Sequence, residues 1–149
     1  MLAVHREEES NRFYSMLAEK IKNPEGALTF QNLAQDEIKH RQILLTWWES
    51  RFREAFPFSE DRIEAPAVSV DDQTGALDAL ELALEFEQQA MDLYEQLAVT
   101  AGGDKDLVKI CRDLAKEEWG HFNTLSAERN AIMGAFYWYD IDHAAPLED

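Results

Sequence analysis

A chain of 149 residues fits one domain with room for a sizeable core. Fourteen Lys and Arg against thirty Asp and Glu leave a formal net charge of −16, which repels phosphate backbones and anionic lipid and argues against nucleic-acid and membrane partners. The one cysteine, Cys111, permits neither an internal disulfide nor a four-cysteine metal site. The Glu-rich N-terminus lacks a leader, and no apolar run is long enough for a bilayer, so the expected location is the cytoplasm.

Helical periodicity runs along most of the chain. Phe13, Leu17 and Ile21 recur at helical spacing in the first segment, which ends at the turn Asn23-Pro24-Glu25-Gly26. A second amphipathic helix is expected over about Leu28 to Phe52. Phe56 to Gly75, with Pro57 and Pro66, reads as neither helix nor strand. A third helix is expected over about Leu77 to Ala98, broken by Gly102-Gly103, and a fourth over about Leu107 to Met133. The remainder reads as an aromatic and polar tail, so the expected organisation is a bundle over 1–133 and a tail over 134–149. Four long helices without a strand define an all-α four-helix bundle, made of two helical hairpins joined by a long crossover.

The two hairpins carry one pattern twice. At an offset of 80, Leu2 and Ala3 match Leu82 and Ala83, Glu7 matches Glu87, Tyr14 matches Tyr94, and Leu17-Ala18 matches Leu97-Ala98. After the turn the offset becomes 81: Leu33-Ala34 matches Leu114-Ala115, Glu37 matches Glu118, and His40 matches His121. The added residue falls in a turn, where insertions are tolerated. Residues three apart share a helical face, so Glu37 and His40 point together, as do Glu118 and His121. The midpoint between Glu7 and Glu37/His40 lies near residue 23, and that between Glu87 and Glu118/His121 near residue 103. Both fall on a turn, so each acidic residue faces its Glu-x-x-His at one level. Pairing the hairpins brings four carboxylates and two imidazoles together at mid-bundle.

Burying four carboxylates is too unfavourable unless cations neutralise them. Two divalent ions balance the charge, and mixed oxygen and nitrogen donors suit iron, manganese or zinc better than calcium or magnesium. Two of the carboxylates then bridge both ions, and each imidazole terminates one of them.

On these residues the chain resembles the rubrerythrin-like branch of the ferritin-like superfamily. The resemblance rests on Glu7 with Tyr14, Glu37-Ile38-Lys39-His40, Glu87 with Tyr94, Glu118-Trp119-Gly120-His121, and the stretches FYSMLAEK and AKEEWGH, and it covers about residues 1 to 130. It implies two iron ions per chain held by Glu7, Glu37, His40, Glu87, Glu118 and His121, with Tyr14 and Tyr94 bonding to ligand carboxylates. It also implies reaction with oxygen or peroxide, as a peroxidase or an oxidant of ferrous iron; binding and storage of iron without turnover is the alternative.

Two departures bear on this. Full-length rubrerythrins append a four-cysteine iron domain that delivers electrons, so an external electron-donor protein is expected here. They also carry a further glutamate about one turn after the first on the third helix, where this chain reads Gln88-Gln89-Ala90-Met91; Glu85 lies on another face than Glu87. Glu8 and Glu9 are expected on a solvated face and His5 and His143 at the surface. Trp47, Trp48 and Phe136 to Tyr139 are expected to cover bundle ends or a subunit contact. The expected assembly is a homodimer with each site built within one chain, although the crossover is long enough to exchange hairpins.

Overall fold

The computed structural model describes residues 1–64 and 73–142, with the side chains of 73, 74 and 135–142 excepted. The described residues contain four α-helices: α1 (Leu2–Lys20), α2 (Pro24–Phe52), α3 (Gln73–Thr100) and α4 (Lys105–Asp142). Among the described residues of the crossover lies a 3-10 turn, Glu60–Arg62. No strand occurs among the described residues, and no described helix is long and apolar enough to cross a membrane.

Each hairpin turn has a local cause. α2 starts at Pro24, whose fixed φ and missing N–H suit a first helical position. Asn23 caps it by accepting from the N–H groups of Glu25 at 2.9 Å and Gly26 at 3.1 Å. Asn-Pro therefore opens the helix four residues earlier than periodicity places it. In the second hairpin Gly102 takes φ +61°, a left-handed conformation that suits glycine. The Asp104 carboxylate then accepts from Leu107 N–H at 2.9 Å at the start of α4. α4 continues to Asp142 rather than ending near Met133, since no Pro or strong breaker falls in Gly134–Asp142. His143 lies outside the described residues.

α1 and α3 run antiparallel, because Tyr14 meets Glu87 while Tyr94 meets Glu7. α2 and α4 are likewise antiparallel, as His40 meets Glu117 and Asp36 meets His121. The two hairpin turns therefore sit at opposite ends of the bundle. Two apolar clusters divide its core. One, toward the Asn23 turn, packs Phe13, Leu17, Phe30, Leu33, Leu80 and Leu125. The other, toward the Gly102 turn, packs Val4, Leu44, Leu107, Cys111 and Leu114. Each fully buried Leu or Phe contributes roughly 1.5–3 kcal/mol, and the two clusters clamp the polar layer between them.

The start of the crossover docks on α1 and changes three surface expectations. His5 is 1% exposed. Its ring stacks on Phe58 at 5.0 Å, and its Nε2 accepts from Ser59 N–H at 3.2 Å. Glu9 accepts from Glu64 N–H at 3.0 Å and pairs with Arg6, while Glu8 pairs with Arg12 and Arg41. His5, Glu8 and Glu9 are thus buried rather than solvated. Trp47 and Trp48 gather with Phe52 and Phe56 at the end of α2 and cover that end of the bundle.

Candidate metal centre

The layer between the two apolar clusters is acidic. Glu7 of α1, Glu37 and His40 of α2, Glu87 of α3, and Glu118 and His121 of α4 are all buried, from 0% exposed at His40 to 8% at His121. One chain supplies all six. Their ligand atoms fall into two groups of four, Glu7, Glu37, His40 and Glu118, and Glu37, Glu87, Glu118 and His121, each within 4.8 Å. Glu37 and Glu118 belong to both.

The imidazoles are oriented from outside the layer. His40 Nε2 lies 2.8 Å from Glu117 Oε2, and His121 Nε2 lies 3.3 Å from Asp36 Oδ2. An ionised carboxylate only accepts, so each Nε2 carries the hydrogen. Each Nδ1 then faces the carboxylates: His40 Nδ1 is 3.1 Å from Glu118 Oε1, and His121 Nδ1 is 3.0 Å from Glu118 Oε2. Asp36 and Glu117 are the imidazole contacts that motif reading missed. Each stands immediately before the glutamate of a Glu-x-x-His, and their offset of 81 is that of the repeat. That offset was the available signal.

The tyrosines cross between hairpins. The Tyr14 hydroxyl donates to Glu87 Oε1, and the Tyr94 hydroxyl donates to Glu7 Oε1. Burial, reinforced by the neighbouring carboxylates, raises both phenols well above their usual range, so both remain donors.

The electrostatics are those of a site short of positive charge. Burial raises Glu37 well above the usual carboxylate range, and repulsion from Glu7 and Glu118 adds to it. Burial likewise pushes Glu87 up to about 8. Burial also opposes charge on Glu118, but hydrogen bonds from His121 and His40 outweigh it and hold that carboxyl down at about 2. Burial disfavours the imidazolium of His121, yet its bonds to Glu118 and Glu87 push it up to about 10; His40 moves the same way for the same reasons. Without another cation, protons hold the layer together. They do so incompletely: Glu37 Oε2 lies 3.1 Å from His40 Nδ1 but makes no hydrogen bond and is buried.

A ferritin-like four-helix bundle with a buried carboxylate and histidine layer is the class of protein that this fold and site define. The rubrerythrin family profile matches residues 1–128, and the chain belongs to that family. No curated protein sequence matches it. Among solved structures, a hypothetical protein from Pyrococcus furiosus superposes with a TM-score of 0.78 at 26% identity, over 89% of this chain and 86% of that one. A dodecameric thioferritin, the bacterioferritin-related protein from Bacteroides fragilis, gives 0.74 at 15% identity over 95% and 86%. An uncharacterised conserved protein from Magnetospirillum magnetotacticum gives 0.67 at 22% identity over 87% and 89%.

Proposed function

We propose that the chain is a di-iron carboxylate protein whose centre reacts with oxygen or peroxide. The observation that carries this reading is the pair of four-residue groups sharing Glu37 and Glu118. Two divalent ions fit that donor set. Each group offers one imidazole nitrogen, one unshared carboxylate and two shared ones, and two charges of +2 balance four carboxylates. The buried Glu37 Oε2, 3.1 Å from His40 Nδ1 but not hydrogen-bonded to it, would gain a direct partner on loading. Glu37 and Glu118, common to both groups, would hold either ion. Glu7 and His40 complete one group, Glu87 and His121 the other, and manganese or zinc satisfies the same donors.

Bound iron would supply one-electron redox chemistry. The chain's own residues prepare for it. Tyr94 and Tyr14 fix the orientation of Glu7 and Glu87 through single hydrogen bonds. Glu117 and Asp36 keep the Nε2 hydrogens in place, so both Nδ1 lone pairs are directed into the layer. The apolar clusters on either side exclude water.

Iron binding without turnover is the second reading, and the α3 sequence supports it. Gln88 is bonded to Asp92, and neither Ala90 nor Met91 supplies a carboxylate one turn beyond Glu87. Anaerobic loading with ferrous iron, followed by peroxide or oxygen with an excess of reductant, separates the two. Many peroxide molecules reduced per chain supports the oxidoreductase; consumption that stops once the bound iron is oxidised supports the binding protein. With one cysteine and so no four-cysteine iron site of its own, the chain would take its electrons from an external donor protein. Self-association, expected as a homodimer, draws support from the Bacteroides neighbour, itself a dodecamer, and light scattering of the loaded chain tests it.

Asp36→Asn and Glu117→Gln are each expected to weaken metal affinity about 10- to 100-fold while keeping two ions at saturation, because they release an imidazole without removing a ligand. Chelator competition measures the shift. Wild-type affinity in both variants would show that the outer carboxylates do not orient the ligands.

A further inference from the structure

The two faces of the buried layer are closed differently. On the α2–α4 face the rings of His40 and His121 stack at 5.5 Å, and Glu117 and Asp36 tie them down from outside. On the α1–α3 face lies a groove of about 350 Å³, and Glu7, itself 3% exposed, is in its lining. Glu7 therefore belongs both to the groove and to the first ligand group. The groove has space because the residue on α3 one turn beyond Glu87 is Ala90, whose methyl fills little of it.

We propose that this groove is the port through which divalent cations reach the centre, with Glu7 the first ligand they meet. The inference rests on the di-metal reading of the same site. The lining suits a hydrated cation. Ser10, Gln89 and Gln96 offer neutral oxygens, and Asp92 and Glu7 offer carboxylates. Arg6 also lines it, but its guanidinium is drawn to Glu9 at 3.2 Å. The net charge of −16 concentrates cations around the whole chain. An ion shedding water along this path exchanges each lost water for an oxygen donor, and reaches a carboxylate whose other oxygen Tyr94 already holds. On the opposite face the stacked rings and their outer hydrogen bonds cover the layer.

Cobalt(II) uptake, followed by its visible absorbance in a stopped-flow instrument, tests the port without reference to turnover. Ala90→Phe fills the groove and is expected to slow uptake roughly tenfold or more, since the side chain must swing aside for each ion. The paired variant Gln89→Lys with Gln96→Lys alters two exposed positions and leaves the core intact. It is expected to slow uptake about tenfold at low salt and to lose that deficit at about 1 M salt, where screening acts within about 3 Å. Final cobalt content stays at the wild-type value in both. Uptake at the wild-type rate in both variants overturns the port alone. A wild-type chain that takes up no cobalt overturns the metal centre, and the port with it. Should Ala90→Phe fail to fold, the lysine pair decides by its salt dependence.

Discussion

Replacing Glu37 or Glu118 by alanine is expected to remove at least one of the two ions proposed per chain. Both carboxylates lie in both four-residue groups, so each deletion takes a donor from each group. Glu118 bears the heavier load, since both Nδ1 atoms bond to it, at 3.1 and 3.0 Å. Its loss leaves two buried imidazoles without their main acceptor, and Glu118→Ala is therefore the variant expected to melt lower even without metal. Glu85→Ala is the control, because Glu85 is exposed two residues before Glu87 and belongs to neither group. Elemental analysis after desalting measures the outcome. Two ions per chain in Glu37→Ala and in Glu118→Ala would sink the ligand assignment, whatever their stability.

The clustering of the six side chains was legible because duplication wrote it twice. A single Glu-x-x-His is weak, yet the register from Glu7 to Glu87 and from His40 to His121 left little freedom in how the hairpins pair. The structure joins Tyr14 to Glu87 and Tyr94 to Glu7, a crossed arrangement that only the antiparallel packing of α1 on α3 produces. Residues controlled by the crossover were not legible. Helical periodicity leaves His5, Glu8 and Glu9 free to face water, and it does not encode the path of Phe56, Phe58 and Ser59 over α1. The length of α4 escaped for a related reason. Gly134 weakens a helix by only about 1 kcal/mol relative to alanine, so it is a poor stop signal, and the helix continues to Asp142.

Metal removal is expected to produce the largest change in stability, and the change grows with pH. In the metal-free chain Glu37, Glu87, His40 and His121 all bind protons more tightly folded than unfolded. A group with a raised folded pKa stabilises below its unfolded value and loses that contribution as pH rises through the folded one. For Glu87 the loss is centred below about 8, and for His121 below about 10. Glu118, held at about 2, acts oppositely: its contribution is present above the ordinary carboxylate range and is lost as pH falls toward 2. The metal-free protein should therefore be most stable near the ordinary carboxylate range and weaken steadily to pH 9. Loading replaces those protons, so it should release protons into the medium and remove the alkaline decline. At free metal about 1,000 times the dissociation constant, one site adds about 4 kcal/mol, or roughly 8–16 °C in Tm for a chain of this size. Thermal melts at pH 6 and pH 8, with excess chelator and with two equivalents of metal, measure the effect. The gap between loaded and stripped protein should widen from pH 6 to pH 8. Equal melting of the two forms at pH 8 would mean that nothing neutralises the four buried carboxylates on loading, and the proposed centre would then have to be abandoned.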